Sequence, residues 1–300
     1  MPQQDGRRLT LTVTSAWDGE KIDTLLRREL GLSGTVIKRI KWLEDGILLD
    51  GVRAITGQRA AAGQVLSVRV DDPERPEAVA PTPGPVDVVY EDQDLLVVNK
   101  APGVPVHPGA GNGRETLCNY VAYYYQQKGE PAGVHPVHRL DRGTSGLMVI
   151  AKHPLAQERL KEQLHTAAFR RIYLAVCDGV PVPEQGRVEV PIGRVPGSLI
   201  QRQVDPAGQP AATCYRVVEQ TGNRTLVELI LETGRTHQIR VHMAWLGCPL
   251  TGDFLYGRED KGLIARPALH SSELFLTHPI TGAALHWTAP LPDDMAVLLR

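Results

Sequence analysis

The sequence lacks several features that would place it in a common class of protein. No window of its 300 residues approaches the run of about 20 apolar residues that a membrane-spanning helix needs, so we expect no membrane partner. The N-terminus has neither an apolar signal core nor a cleavage pattern of small residues, which predicts a cytoplasmic protein. The formal net charge is only −1, so any surface for a polyanion must be local.

Ligands for metals and motifs for nucleotide cofactors are also scarce. The four cysteines are far apart and form no CxxC pair, so we expect reduced, mostly buried thiols. His135 and His138 are three apart, but no third ligand follows at a spacing that would complete a zinc site. No GxGxxG or GxxxxGK[ST] motif precedes a helix. The sequence therefore predicts no metal and no nucleotide cofactor.

The composition and the prolines indicate two domains. Hydrophobic residues make up 42% of the chain, enough for a sizeable core, and the length exceeds what one small domain needs. Residues 71–85, DDPERPEAVAPTPGP, carry five prolines, which cannot continue a helix or a central strand. We predict a first domain at 1–72 with its core at 15–70, a proline-rich linker at 73–85, and a second domain at 86–300.

The first segment has the order helix, helix, hairpin. Apolar spacing predicts a helix over 21–30 and a second over about 35–44, with Ser33 as its N-cap. Short strands are expected at Ile47–Leu49 and 65–70, joined through turn residues. This small α/β module is followed directly by the proline-rich stretch.

Positive charge is concentrated on this module. Between residues 27 and 41, five basic side chains stand against one acid, Glu29. A solvated polar face is one explanation, and a surface for a nucleic acid is the other. The coincidence of the charge with a small appended module favours the second. The basic residues are Arg27, Arg28, Lys38, Arg39 and Lys41.

The second segment is rich in predicted strands. Apolar runs at 94–99, 147–151, 172–177 and 226–231 read as strands, whereas only 155–165 and 239–246 read as helices. Because the strands show no steady alternation with helices, we predict an α+β fold with a mixed, largely antiparallel sheet.

One carboxylate, Asp141, stands between Arg139 and Arg142, directly before a Gly-Thr-Ser-Gly turn and an apolar run. A carboxylate among guanidinium groups should keep its charge, and an ionised carboxylate can act as a nucleophile or base. On this tripeptide alone, an ordinary ion pair or a turn cap is the better explanation of Asp141. The hydroxyl of Thr144 has a similar alternative, the satisfaction of turn backbone groups.

A second polar cluster, TGRTHQIRVH at 233–242, follows an apolar strand and opens a predicted helix. This position presents Arg235, His237 and backbone N–H groups at a helix start, where an anion is stabilised. The cluster could supply the cation for Asp141, although a helix cap with surface charges is the alternative.

The motifs of the second segment resemble those of the RluA/RluD type of RNA pseudouridine synthase. HRLDRGTSGL carries the resemblance, and four further motifs occur in the order found in that family. The five are YEDQDLLVVNKAPGVPVHP (90–108), HRLDRGTSGLMVIAK (138–152), RRIYLAVCDG (170–179), LETGRTHQIRVHMAWLGCPLTGD (231–253) and LHWTAPLP (285–292).

The first segment resembles the αL-type RNA-binding domain that was first named from a protein of the small ribosomal subunit. The matching stretches are KIDTLLRREL, SGTVIKRIKWLEDGILLDG and AAAGQVLSVRV, with departures at Asp50 and Thr35. In that family the paired helices and the following turn bind structured RNA.

The resemblance implies roles for single residues. Asp141 would be the essential aspartate, Arg235 the arginine that pairs with it, and Tyr173 the tyrosine whose ring lies against the target uracil. Arg139 would fill the gap left by an extruded base, and Arg142 would contact phosphate or the surface. The implied reaction is the isomerisation of uridine to pseudouridine in RNA, without cofactor or metal.

Three functions remain open at this level. The first is a pseudouridine synthase, expected to be monomeric and to act on large-subunit ribosomal RNA, or else on transfer RNA. The second is a non-catalytic RNA-binding or ribosome-assembly factor. The third is a hydrolytic nucleosidase, for which Asp253 would have to supply a second carboxylate.

Overall fold

The computed structural model describes residues 6–71, 79–109, 113–130, 132–164 and 166–300. No helix within these ranges is long and apolar enough to cross a membrane. The helices are α1 (Ile22–Arg28), α2 (Gly34–Ile40), α3 (Leu117–Lys128), α4 (Pro154–Gln163), α5 (Gln238–Trp245) and α6 (Asp293–Ala296).

The strands of the same residues belong to two large sheets and one small ribbon. In chain order they are β1 (Arg8–Thr12), β2 (Ile47–Leu49), β3 (Val52–Arg53), β4 (Val65–Arg69), β5 (Val88–Glu91), β6 (Leu95–Lys100), β7 (His135–Pro136), β8 (Ser145–Ala151), β9 (Arg170–Asp178), β10 (Gln185–Glu189), β11 (Ile192–Arg194), β12 (Arg202–Val204), β13 (Ala212–Thr221), β14 (Arg224–Leu231), β15 (Leu269–Thr277) and β16 (Ala284–Thr288).

The first segment forms a four-stranded sheet, in the order β1-β4-β2-β3, with α1 and α2 contributing to the same core. Ser33 caps α2 as predicted, because its Oγ accepts a hydrogen bond from the backbone N–H of Val36 at 3.3 Å. Strand β1 was not predicted from the sequence. This strand depends on a partner more than 50 residues away, since Leu11 pairs with Leu66.

Residues 73–78 of the predicted linker lie outside the described residues. Residues 79–85 contain no helix or strand, as their prolines require. The two segments touch through several side chains: Leu155 of α4 packs in the core of the first sheet, and Ser33 Oγ donates to Glu158 Oε2 at 2.9 Å. The proposed domain boundaries stay a prediction.

The second sheet has ten strands and runs β10-β13-β14-β9-β15-β8-β6-β5, with β16 on β15 and β7 on β8. The pair β15–β8 is parallel and the other pairs of this sheet are antiparallel. The α+β class and the mixed, largely antiparallel sheet predicted from the sequence are confirmed.

Strand β8 lies deep in this sheet because its run SGLMVIA is buried throughout. At Gly146, with φ 110°, an added Cβ would meet the backbone oxygen of Ser271 at 2.2 Å, so only glycine lets β15 approach here. The loop before β8 carries Asp141, and the rigid strand fixes where that loop ends.

Helix α3 has no counterpart among the predicted helices. Its sequence LCNYVAYYYQQK is rich in tyrosine, which is typical of strands, yet Val121 and Tyr125 are buried in the main core. The helix begins after Thr116, whose Oγ1 accepts from the N–H of Asn119, and ends at Gly129 with φ 65°. Tertiary packing and the two caps outweigh the local preference. The helix predicted at 155–165 ends earlier, at Gln163, and His165 lies outside the described residues.

Candidate active site

A cavity of about 290 Å³ opens where the loop before β8, strand β9 and the start of α5 meet. The two polar clusters singled out in the sequence, around Asp141 and around residues 233–242, face each other across it. The residues predicted from the sequence that line it are Arg139, Asp141, Thr144, Tyr173, Arg235 and His237.

Asp141 lies in this cavity with few close partners. Its Oδ2 is 3.9 Å from Arg240 Nη1 and 3.9 Å from His237 Nε2, and its side chain keeps 19% of its surface exposed. Both separations exceed hydrogen-bond length. The carboxylate therefore lies in a positive field, but it has no direct hydrogen bond to either group.

The prediction that Arg235 pairs with Asp141 is wrong. Arg235 is exposed and its Nε donates to the carbonyl oxygen of Pro210 at 3.0 Å. Although it lines the same cavity, it makes no ion pair with Asp141 in the described part of the chain. The cation near Asp141 is Arg240. Arg235 belongs to the turn before α5, whereas Arg240 follows the helix start and turns inward.

Arg240 is itself fixed by a second carboxylate. Its Nε and Nη2 each donate to Asp253 at 2.7 Å, a bidentate pair that leaves Nη1 facing Asp141. The guanidinium also lies over the rings of Tyr256, at 5.0 Å, and Phe254, at 5.7 Å. Burial alone would lower the pKa of Arg240, but the bond to Asp253 raises it overall. One sequence signal for this role exists: Arg240 stands between the apolar residues of a predicted helix.

His237 occupies an unusual backbone position at the start of α5. Its φ is 58°, in the left-handed region that non-glycine residues seldom adopt. Its Nδ1 is 2.8 Å from the hydroxyl of Tyr256, and its Nε2 faces Asp141. Burial lowers the pKa of His237, while the negative charge of Asp141 acts in the opposite direction.

The turn that carries these groups is fastened by Gln238, which the sequence did not single out. Its Oε1 accepts from the N–H of Arg235 at 3.0 Å and from Thr233 Oγ1 at 2.7 Å. Its Nε2 donates to the carbonyl oxygen of Ala212 and to Thr213 Oγ1, both at 2.9 Å. The amide thus ties the start of α5 to strand β13.

Tyr173 lines the cavity from β9 and is 3% exposed. Burial raises its pKa; the cation Arg171 acts against this, and the charge of Asp141 adds to it. The hydroxyl is therefore a neutral group at ordinary pH. A flat, uncharged ring on the cavity wall is suited to contact with a base.

The two arginines that begin this strand have separate environments. Arg170 is exposed and lies over the ring of Phe275 at 4.4 Å. Arg171 is buried, lines the cavity, and its Nε has no hydrogen-bond partner among the described residues. A buried unpaired N–H is costly, so Arg171 is a candidate donor for a ligand in the cavity.

The remaining loop residues are held by backbone contacts. Arg142 is exposed, and its Nε donates to the carbonyl oxygen of Gly103 at 2.9 Å. Lys100 donates to the oxygens of Ala101, at 2.8 Å, and Val104, at 2.9 Å. Burial lowers the pKa of Lys100 to about 7, although the charge of Asp141 opposes this. Sequence reasoning missed Lys100, whose only signal is a lysine that ends an apolar strand.

Arg139 and Thr144 flank Asp141 differently. Arg139 is exposed at the edge of the cavity, whereas Thr144 is 2% exposed and its backbone N–H donates to the carbonyl oxygen of Asp141 at 3.1 Å. This bond closes the turn that follows the aspartate.

The basic residues of the first segment lie on its helices and at the end of α2. Lys38, Lys41 and Arg28 are exposed, and Arg27 is exposed but pairs with Asp23 at 2.8 Å, four residues earlier on the same helix. Arg39 is half-buried. Lys41 Nζ lies 4.8 Å from the ring centre of Trp42, itself 76% exposed.

The comparisons with known proteins identify the family of this chain. The family model for RNA pseudouridylate synthase matches residues 94–245, which include Asp141, Tyr173 and Arg240. The RNA pseudouridine synthase YhcT of Bacillus subtilis is 38% identical over 99% of this chain and 98% of its own. The ribosomal large subunit pseudouridine synthase D of Yersinia pestis is 40% identical over 98% of this chain and 94% of its own.

A solved structure points the same way. Human RNA pseudouridylate synthase domain containing 4 aligns with 70% of this chain and 90% of its own, with a TM-score of 0.58 and 27% identity. Both curated relatives exceed 30% identity over nearly the whole chain. On its motifs, its sheet and these matches, the chain belongs to the RluA/RluD-type family of RNA pseudouridine synthases.

Proposed function

We propose that this enzyme converts uridine to pseudouridine in large-subunit ribosomal RNA and that Asp141 is its catalytic residue. The observation that carries the assignment of Asp141 is its carboxylate, which faces the cavity with its nearest cation, Arg240, at 3.9 Å. The relative named for the large ribosomal subunit supports the choice of RNA. A ribosomal substrate also suits the cytoplasmic location expected from the sequence.

The reaction is an isomerisation in which no group is gained or lost. The N1–C1′ bond of uridine breaks, the uracil rotates while it stays bound, and C5 bonds to C1′. The proton on C5 then leaves and N1 acquires one, so atoms and electrons balance without an oxidant. Asp141 either attacks C1′ or removes the C2′ proton, and both roles need an ionised oxygen that is not already hydrogen-bonded.

The size of the cavity indicates how the substrate must be presented. At about 290 Å³ it is at the small end of ligand pockets and cannot admit a base that remains stacked in a helix. The target uridine would therefore be flipped out, which costs a few kcal/mol. Arg139, exposed at the cavity edge, would occupy the gap, and Tyr173 would lie against the uracil.

The other residues around the cavity have supporting roles in this proposal. Arg240 orients Asp141, since its own geometry is set by Asp253. The unpaired Nε of Arg171 would bind a substrate oxygen. Arg235 and Arg142, both exposed, would contact phosphates of the surrounding RNA.

The first segment would act as a separate RNA-binding domain that recruits the substrate. Its exposed cations lie on and just after two short helices, and charge of this kind binds phosphates with little regard to sequence. Arg27, Arg28, Lys38, Arg39 and Lys41 are the residues proposed for this contact.

Asp141→Asn tests the central claim. We expect pseudouridine formation on ribosomal RNA transcripts to fall by at least about 10³-fold, while RNA affinity stays near that of the wild type. Asp293→Asn is the matched control, since Asp293 is an exposed carboxylate at the start of α6. Normal yield from Asp141→Asn would refute the catalytic assignment, and release of free uracil by the wild type would indicate a nucleosidase instead.

The choice of RNA has its own test. Pseudouridines would be mapped in ribosomal and transfer RNA from cells with and without this gene. We expect one or more positions of large-subunit RNA to lose the modification. Loss confined to transfer RNA would contradict the proposed substrate but leave the catalytic assignment intact.

A further inference from the structure

The hydroxyl of Tyr256 connects the β11–β12 region to the histidine beside Asp141. The backbone N–H of Arg202 donates to this hydroxyl oxygen at 2.8 Å, and Nδ1 of His237 lies 2.8 Å from the same oxygen. The tyrosine ring meets the imidazole edge-on, with centroids 5.6 Å apart. Tyr256 thus contacts His237 through both its ring and its oxygen.

The hydrogen bonds of this oxygen indicate which nitrogen of the imidazole carries the proton. A backbone N–H can only donate, so the Tyr256 oxygen accepts from Arg202. The hydroxyl has one proton of its own, and Nδ1 of His237 is the acceptor within reach in the described residues. If the hydroxyl donates this proton to Nδ1, the proton of a neutral imidazole is on Nε2. That nitrogen faces Oδ2 of Asp141 at 3.9 Å.

We propose that Tyr256 and His237 are positioning residues, with Tyr256 holding the His237 proton on Nε2 so that it faces Asp141. The inference rests on the proposed function of Asp141. The N–H of His237 and the guanidinium of Arg240 both approach Oδ2, and Oδ1 has no hydrogen bond or ion pair within the described part of the chain. In this proposal Oδ1 is the oxygen left available to react with the sugar.

The backbone around the pair supports a dedicated arrangement. His237 adopts a φ of 58°, a conformation that costs energy for a non-glycine residue and is concentrated at functional sites. Asp253 organises both arms: it fixes Arg240, and its Oδ1 accepts from the N–H of Tyr256 at 3.3 Å. One buried carboxylate thus positions the cation and the tyrosine together.

Burial favours the neutral form of His237, and the charges around it act in both directions. Burial lowers its pKa, Asp141 and Asp253 act to raise it, and Arg240 and Arg202 act to lower it. A donor on Nδ1 adds to the preference for the neutral ring, because a protonated Nδ1 could not accept the bond from Tyr256. Removal of the hydroxyl should therefore raise the pKa of His237.

Nitrogen NMR of the imidazoles tests the proton position directly. In the ¹⁵N-labelled wild type at pH 8, the His237 signals, assigned by their loss in His237→Gln, should show the proton on Nε2. In Tyr256→Phe the two tautomers should mix, and the pKa of His237 should rise in an NMR titration. A wild-type proton on Nδ1, or an unchanged tautomer and pKa in Tyr256→Phe, would overturn the proposal.

Kinetics test the consequence for Asp141. Tyr256→Phe keeps the ring over Arg240 and should lower kcat by about tenfold, the worth of one hydrogen bond, with KM nearly unchanged. His237→Gln, whose amide can place an N–H near the position of Nε2, should retain more of kcat than His237→Ala. Equal losses in these two variants, or a normal kcat in Tyr256→Phe, would overturn the role.

Two comparisons distinguish the positioning role of Tyr256 from the loss of any buried hydroxyl bond and from the catalytic role of Asp141. Tyr215→Phe also removes one buried hydroxyl bond, to the oxygen of Pro183 at 3.1 Å, and should leave kcat unchanged. If Asp141→Asn is inactive while Tyr256→Phe behaves as the wild type, the positioning role fails alone. If Asp141→Asn is active, the proposed catalytic role of Asp141 fails first.

Discussion

Asp94 and Asp141 are two carboxylates with similar neighbours and very different surroundings. Asp94 accepts from Arg7 at 2.7 and 3.0 Å and from His153 at 2.9 Å, and its side chain is 5% exposed. Asp141 also faces an arginine and a histidine, but both are 3.9 Å away and its side chain is 19% exposed. Asp94 therefore accepts short hydrogen bonds at both oxygens, whereas Asp141 accepts none from its arginine or its histidine.

The region of Asp94 also resembles a metal site at first sight. Asp92, Asp94 and His278 have ligand atoms within 4.8 Å of one another. However, Asp92 Oδ2 accepts from Tyr90 at 2.7 Å and from His278 at 2.9 Å, and Asp92 Oδ1 accepts two backbone N–H groups. The donors already engage these oxygens, which is consistent with a structural cluster that joins β5 and β6 to the first segment.

The contrast shows that a carboxylate's neighbours do not by themselves reveal its role. What differs is the distance of the partners and whether an oxygen faces open space. A carboxylate with short bonds to a buried histidine and an arginine stabilises the fold, whereas one with distant partners at a cavity is free to react.

The largest expected effect comes from exchanging the two carboxylates for amides. Asp141→Asn should lose turnover and change the free energy of unfolding by no more than about 0.5 kcal/mol. Asp94→Asn should retain kcat and lose about 3 kcal/mol of stability, because it leaves buried donors without a charged partner. Denaturant unfolding and turnover of both variants check this, and a kinetic defect in Asp94→Asn would break the contrast.

Asp253→Asn tests whether Asp141 must remain without a direct ion pair. Without its bidentate partner, Arg240 should move toward Asp141 and form a direct ion pair. We expect kcat to fall by about 10²-fold, as for other small misplacements in an active site. Turnover measured on variant protein whose circular dichroism matches the wild type is the check. A normal kcat would show that the orientation of Arg240 is unimportant.

Acid should remove the stabilisation that Asp94 contributes to the fold. Burial acts to raise the pKa of Asp94, but the bonds from His153 and Arg7 lower it well below its ordinary value of 3.8. Its stabilisation is thus fully present above about pH 5 and is lost as pH falls below 3.8. The stability gap between wild type and Asp94→Asn, measured by denaturant unfolding, should shrink between pH 5 and pH 3. A constant gap would contradict the assigned role.

Acid should also destabilise the fold through the buried side chain of His138. Burial lowers the pKa of His138 to about 3, with Arg171 acting in the same direction. A neutral histidine that would titrate near 6.5 when unfolded destabilises the fold as pH falls from about 6.5 toward 3. The wild type should accordingly lose stability over a wider acid range than Asp94 alone explains, and His138→Asn should remove the part of that loss above pH 5.

The smallest effect concerns the cations of the first segment. Changing Arg27, Lys38 and Lys41 together to alanine should weaken RNA binding and reduce the slope of log affinity against log salt by about 2, since Arg27 is partly neutralised by Asp23. A control with Arg187, Arg216 and Lys261 changed to alanine removes the same charge from residues paired with glutamates. Equal slopes in the two triple variants would contradict the role of this segment.

Much of the fold followed from local pattern. The strands at 147–151 and 226–231 are apolar runs, and such runs form buried strands at many positions in a sheet. Ser33 was equally readable, as an N-cap acts on its own helix. Helix α3 was missed because its tyrosines favour a strand locally and only packing selects the helix. Strand β1 was missed because its partner is distant in sequence.

The sequence alone determined Asp141 and Tyr173 as candidate site residues, through the resemblance of its motifs to those of RluA/RluD-type enzymes. Only the tertiary structure decided that Arg240 replaces Arg235 beside Asp141, that Asp253 orients it, and that Tyr256 reaches His237. These relations depend on which face of α5 turns inward and on loops that meet across the sheet. Spacing along the chain does not encode either, because they arise from packing between distant segments.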